Sequence, residues 1–386
     1  MRLQQKDTRI ARLILGWFLT ATPLFCISTS LPLMSVQNAQ SSLESSFLAT
    51  LCSAGIFFGC FFIRLFLIHY SAQTLNRLGS LLVVGAAASL CAANNYYAYA
   101  FFGFLIGIGA GIRWIVCDAW ITELGAHARG RTVGLYEAVS GSTLLCGPAL
   151  SALTIKNPVI TFVCCTLIAL LSMLLTWNIT VDHALDDDAI QDFSYLKAAR
   201  EQLYAFWISL FGGIFESGSG AVLAIWLITN QGLSESLAAL LITGIGIGSL
   251  SAQLPLGIIT EKYSVKNIQL CCAALLPITS LLLLINPASS LVIPFIVALI
   301  WGAVGGGLYT LSAIHLGNEF QGKKLMVSIA AVVISYSIGN SVGPIFGGYA
   351  LDVSSVYGLP IVFFTLGLCA LLTTILCPNA ESQTKS

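Results

Sequence analysis

Long apolar runs separated by short polar stretches recur from one end of the chain to the other. A hydrocarbon layer about 30 Å thick takes about 20 helical residues to cross, more when a helix tilts. Twelve runs of that order can be read. The first six cover residues 10–34, 46–68, 77–94, 96–121, 131–155 and 157–178, and the second six 202–229, 236–259, 267–286, 289–315, 326–351 and 354–377. The pattern predicts an all-α membrane protein with twelve transmembrane helices, the third and ninth being the shortest. The first run follows Arg2, Lys6, Arg9 and Arg12 and exceeds the roughly 7–15-residue apolar core of a signal peptide. It therefore reads as an uncleaved first helix.

Composition agrees with that class. Of the 386 residues 57% are hydrophobic and 9% charged, against about 25% charged in a soluble domain. Seventeen basic and 17 acidic residues cancel, so no global field would attract nucleic acid; the partner that the composition implies is the bilayer. Charge position says more. If the N-terminus is cytoplasmic, the inside segments hold fifteen of the 17 basic residues, the outside loops only Lys156, and the remaining one, Arg113, lies within the fourth span. Cytoplasmic loops retain positive charge, so both termini are expected inside.

The chain also divides and repeats. Asp182, Asp186, Asp187, Asp188 and Asp192 fall between spans six and seven, where a charge run reads as a solvated tether. The expected organisation is a six-helix half over 1–180, an acidic cytoplasmic linker over 181–201 and a second six-helix half over 202–386. Gly147-Pro148 in span five and Gly343-Pro344 in span eleven lie 196 positions apart, and the same offset carries Gly109 and Gly111 onto Gly305 and Gly307. A shared offset argues for duplicated, pseudo-symmetric halves, whose interface near the midplane is where repeat-built transporters place their substrate site.

Other chemistries find little support. Twelve cysteines lie in or beside apolar runs, and the adjacent pairs Cys164-Cys165 and Cys271-Cys272 lack metal-ligand spacing. His69, His127, His183 and His315 are scattered, so no membrane-enzyme cluster forms, and there is no nucleotide-binding loop. The expectation is no enzyme, no metal and no cofactor; energy would come from an ion or solute gradient, or from a partner subunit. A sensor that has lost transport and, less favoured, an integral-membrane enzyme are the other readings left open.

Three motifs carry candidate function. In span eleven Gly339, Gly343, Pro344, Gly347 and Gly348 combine close helix approach with a bend. Closing span eight, Gln253, Pro255, Gly257, Glu261 and Lys262 place an acid and a base where helix ends could pair in one state and separate in another. Between spans four and five stand Arg113, Trp114, Asp118, Glu123, Arg129, Arg131 and Glu137. Charges in a membrane span pair or face a wet cavity, so Arg113 is expected to pair with Asp118 or Glu137.

These motifs resemble those of the major facilitator superfamily along essentially the whole chain. The span-eleven element is similar to that family's glycine-proline motif, normally found in span five, where this chain keeps Gly147-Pro148. The segment from Gly257 to Lys266 resembles the second-half copy of its signature loop; the first-half copy, Gly59 to Arg77, is degenerate. Asp118-Ala119-Trp120 and Leu135-Tyr136-Glu137 resemble a bacterial branch with poorly defined substrates. The resemblance implies a monomeric transporter of the bacterial inner membrane, working by alternating access, with spans one, four, seven and ten around a central cavity. Those spans offer Glu216, Trp301, Arg113, Trp114 and Tyr309, a set that suits a small amphipathic solute rather than a polyanion.

Glu216 is the strongest single candidate. It lies about 20 Å along span seven at 1.5 Å per residue, near the midplane, where a carboxylate costs at least about 2.5–3.5 kcal/mol. A carboxyl that gains and loses a proton there can couple transport to protons.

Overall fold

The computed structural model describes residues 2–37, 42–154, 156–181, 202–216, 218–285 and 290–376. Among these, helices follow one another as α1 (Arg2–Gln37), α2 (Ser42–His69), α3 (Ala72–Leu90), α4 (Tyr96–Leu124), α5 (Arg129–Thr154) and α6 (Pro158–Thr176). Then come α7a (Leu203–Glu216), α7b (Gly220–Gln231), α8 (Glu235–Ile259), α9 (Val265–Leu282), α10 (Val292–Glu319), α11 (Gly322–Val353) and α12 (Gly358–Leu376). Apart from Val181, the expected acidic linker lies outside the described residues.

Helix starts follow local chemistry. Ser71, Asn95, Ser234 and Ser264 accept the backbone N–H three residues on, satisfying one of the donors that a helix N-terminus leaves open, and Pro158 opens α6. Polar turns extend α1 and α2 beyond the apolar runs, because hydropathy marks what lies in lipid whereas backbone hydrogen bonding continues into water.

By length and composition, nine of the described helices can cross a membrane: α1, α2, α4, α6 and α8 to α12. The other three expected spans fall short for visible reasons. Helix α3 carries Asn76 and Arg77 in its early turns. Helix α5 begins with Arg129 and Arg131 and is rich in glycine, serine and threonine. Span seven, expected as one helix, is broken into segments of 14 and 12 residues. Large apolar side chains such as Leu153, Leu174, Leu240 and Ile345 stand exposed on helix faces, an arrangement that suits lipid rather than water.

Two compact units result. One comprises Met1–Ala126, Val139–Tyr195 and Phe320–Ala330. Within it α4 packs on α2 and α3, and α6 on α1 and α3, around Leu24, Ile27, Val83, Ile106 and Phe162. The other comprises His127–Ala138, Leu196–Glu319 and Ala331–Ser386. There α10 packs on α8, α9 and α7a, and α12 on α9 and α7a, around Phe215, Trp226, Trp301, Leu308 and Phe363. The first turns of α5 therefore group with the second unit, and those of α11 with the first.

The glycine row of α11 lies against α7a and α7b. A side chain at Gly339 would strike the carbonyl of Leu210, one at Gly343 would meet the Cα of Gly218 at 3.0 Å, and one at Gly347 would meet Val222 at 2.6 Å. Gly348 faces open space, so it takes no part in that packing. In the other unit Gly147 of α5 presses on Phe25 and Cys26 of α1, the same helix pairing under the repeat, with Pro148 and Pro344 each inside its helix.

Candidate functional site

The break in span seven follows from its sequence. Gly212, Gly213, Gly218 and Gly220 surround Glu216, and glycine is the weakest helix former after proline. The N–H of Gly218 bonds back five residues to the carbonyl of Gly213 at 3.0 Å, a π-type turn of the kind that recurs at functional sites. The hydroxyl of Ser219 donates to the carbonyl of Phe215 at 2.7 Å. Side chain and bulge thus satisfy backbone groups that lipid could not. Glu216 becomes the last residue of α7a.

Three helices converge on that carboxylate. Ser249 of α8 donates to Oε1 at 2.5 Å and Tyr336 of α11 donates to Oε2 at 2.7 Å. Behind them, Gln253 Nε2 donates to Ser249 Oγ at 3.3 Å, and Thr310 of α10 donates to Gln253 Oε1. Ser249 and Gln253 are buried, whereas Glu216 and Tyr336 are partly exposed. Among the described residues both donors to Glu216 are hydroxyls, and no basic side chain pairs with it. Gly306 makes the arrangement possible: a methyl there would run into Gln253 Nε2 and lie 2.7 Å from both Glu216 Oε1 and Ser249 Oγ. Tyr309 stands on Tyr336 edge to face, centroids 5.3 Å apart.

The other expected pathway residues are distributed differently. Arg113, 1% exposed, reaches into the first unit. Its guanidinium donates to Ser172 at 2.9 Å, Thr176 at 3.0 Å and Asn76 at 3.2 Å, and also to Thr20. It thereby ties α4 to α1, α3 and α6. Trp114 packs on Trp17, whose indole N–H donates to Ser140, and Asp118 and Glu137 are buried. Trp301 is fully enclosed, stacked on Phe363 at 4.8 Å with its indole N–H on Thr279. Replacing Arg113 with leucine is expected to lower stability by at least about 1.5–3 kcal/mol, the worth of one hydrogen bond to a charged group. Thermal unfolding in detergent measures it, and an unchanged midpoint would refute the tie.

The two charged motifs treated separately in the sequence meet in the second unit. Gly257 fits against Gly130, with Gly134 Cα 3.0 Å from where a side chain would begin. Glu261 accepts the backbone N–H of Arg131 at 3.2 Å, placing an acid where the start of α5 carries open donors and positive dipole charge. Arg129 bonds Asn318, and Lys262 is exposed.

The comparisons with known proteins follow the same architecture. The family model described as Major Facilitator Superfamily matches residues 205–386. An uncharacterized MFS-type transporter, YfkF of Bacillus subtilis (strain 168), is 23% identical over 366 residues, 91% of each chain. Among solved structures, the major facilitator superfamily transporter FucP in the outward conformation superposes with a TM-score of 0.75 at 14% identity, covering 95% of this chain and 97% of that one. The proton:xylose symporter XylE superposes with 0.71 at 16% identity, covering 97% and 95%. The second half of the chain thus matches the Major Facilitator Superfamily model, and the whole chain shares the fold of those solved transporters.

The sequence points to Glu216 but not to Ser249, Gly306, Thr310 or Tyr336. Gln253 was seen only as part of the motif closing span eight. Each is a single polar or small residue in an apolar run, and only the packing of α8, α10 and α11 on the break of span seven brings them to one carboxylate.

Proposed function

We propose that this protein is a twelve-span secondary transporter with both termini cytoplasmic, moving a small amphipathic solute by alternating access and coupling it to protons at Glu216. The observation that carries this reading is a carboxylate at a helix break, on a residue only partly buried, held by hydroxyls and unpaired with any base among the described residues. A charge in such a place is neutralised by what arrives from solution, and the commonest arrival is a proton. The ion-binding helix breaks of other transporters support the reading by analogy. So do two proteins of the same fold, described as a fucose:proton symporter from E. coli and a proton:xylose symporter.

Flux of labelled amines, amino acids and sugars into proteoliposomes tests it. An imposed pH gradient is expected to drive accumulation of at least one class, and a protonophore to abolish it. Flux indifferent to the gradient would refute coupling, and the absence of flux for every class would refute transport.

Orientation has its own test. In a cysteine-depleted background, a cysteine at Lys156 is expected to react with a membrane-impermeant maleimide added to sealed cells, and one at Lys323 is not. Labelling of the latter would overturn the topology.

A further inference from the structure

We infer that the Glu216 site binds a small organic cation, an ammonium carried on an apolar or aromatic body, in competition with the proton, so that the transporter exchanges one for the other. The inference rests on the reading of Glu216 as the coupling group and adds the solute's charge.

Three features converge on a cation. The carboxylate has about four lone-pair sites, of which Ser249 and Tyr336 occupy two, leaving acceptor capacity for N–H donors. Glu216 terminates α7a, whose C-terminal end carries partial negative charge that favours a cation, partly offset by the positive N-terminal end of α7b from Gly220. Beside the carboxylate stands Tyr336, a partly exposed residue whose ring is backed by Tyr309; an aromatic ring attracts an ammonium and gives its apolar body a surface to lie on. The repeat sharpens the point. The 196-residue offset puts Tyr309 at the place of Arg113, and Thr20, a partner of Arg113, at the place of Glu216. The half that keeps the base encloses it among hydroxyls and an amide, and the half that keeps the acid leaves that residue partly exposed and sets one tyrosine beside it.

The exchange step balances. When an ammonium approaches protonated Glu216, the carboxyl O–H bond breaks, its proton passes to water, and N–H···O⁻ hydrogen bonds form in its place. One proton leaves for each cation bound. Because both occupants need the same oxygens, neither enters until the other has gone, which is the condition for antiport.

The test uses purified full-length protein in nanodiscs in weak buffer at a pH where Glu216 is protonated, with 2-phenylethylammonium and its N-methyl analogue, which keeps N–H donors, as cations. Neutral 2-phenylethanol, anionic 3-phenylpropionate and sodium ion serve as comparisons. The cations are expected to raise the unfolding midpoint and to release up to one proton per protein; the neutral and anionic probes are expected to do neither. Glu216→Gln should abolish proton release and the stabilisation by cations. Tyr336→Leu should weaken cation binding by about threefold to thirtyfold, the range for losing a cation–π contact and one hydrogen bond, while Tyr336→Phe should lose less because it keeps the ring. Absence of stabilisation by both cations, equal stabilisation of Glu216→Gln, or proton release by sodium alone would each overturn the inference. If Glu216→Gln also ends pH-gradient dependence while the cations do nothing, coupling at Glu216 stands and only the solute's charge is wrong. If gradient dependence survives in that variant, the underlying reading falls with it.

Discussion

Glu216→Gln is expected to collapse solute accumulation driven by a pH gradient of one unit from a ratio of about ten to about one. The magnitude follows from coupling: one unit of pH corresponds to about 1.36 kcal/mol per proton, a factor of ten in an equilibrium ratio. Glutamine keeps the side chain's length, and its carbonyl can still accept from Ser249 while its amide faces the Tyr336 oxygen, which has lone pairs to accept it. What it cannot do is change charge. Gradient-driven accumulation should therefore vanish without unfolding, and the comparison is made by uptake in proteoliposomes beside the unfolding midpoint of the same preparation. Accumulation that still follows the gradient would place the coupling group elsewhere, with Asp118 and Glu137 next in line.

The second large effect is a contrast inside one motif. Gly343→Leu is expected to slow flux by tenfold or more, whereas Gly348→Leu, five positions along the same helix, is expected to leave it within a factor of about two. A side chain at Gly343 meets backbone, the Cα and carbonyl carbon of Gly218 at 3.0 and 3.2 Å, and backbone cannot swing aside as the end of a flexible side chain can. Overpacking of this kind costs about 1–3 kcal/mol, and about 1.36 kcal/mol is tenfold in rate. The strain also falls two residues from Glu216, at the break whose geometry presents the carboxylate. Gly348 has nothing within 4 Å. Undiminished flux in both variants would reduce the motif to inert packing, and equal losses would show that glycine is needed for something other than the contact with α7.

The amino-acid sequence by itself determined the class of this protein. The spacing of apolar runs, the low charged fraction and the doubled Gly-Pro and Gly-x-Gly patterns are properties of the chain read linearly, and lipid enforces them segment by segment, since each span must satisfy its own backbone and present apolar side chains. Glu216 was legible for the same reason, as a carboxyl in a run that should hold none. Its surroundings were not. Ser249, Gln253, Gly306, Thr310 and Tyr336 come from three helices, and which face of each turns inward is a matter of packing that hydropathy does not encode, because every face of these helices is apolar. Arg113 makes the converse point. From sequence it was a partner for Asp118 or Glu137 and a pathway residue; the tertiary structure adds Thr20, Asn76, Ser172 and Thr176 from α1, α3 and α6, all unremarkable in a linear reading. The break in span seven stood between the two. Its glycines were visible and make the break; the tertiary structure adds that the glycines of α11 lie against the interrupted backbone.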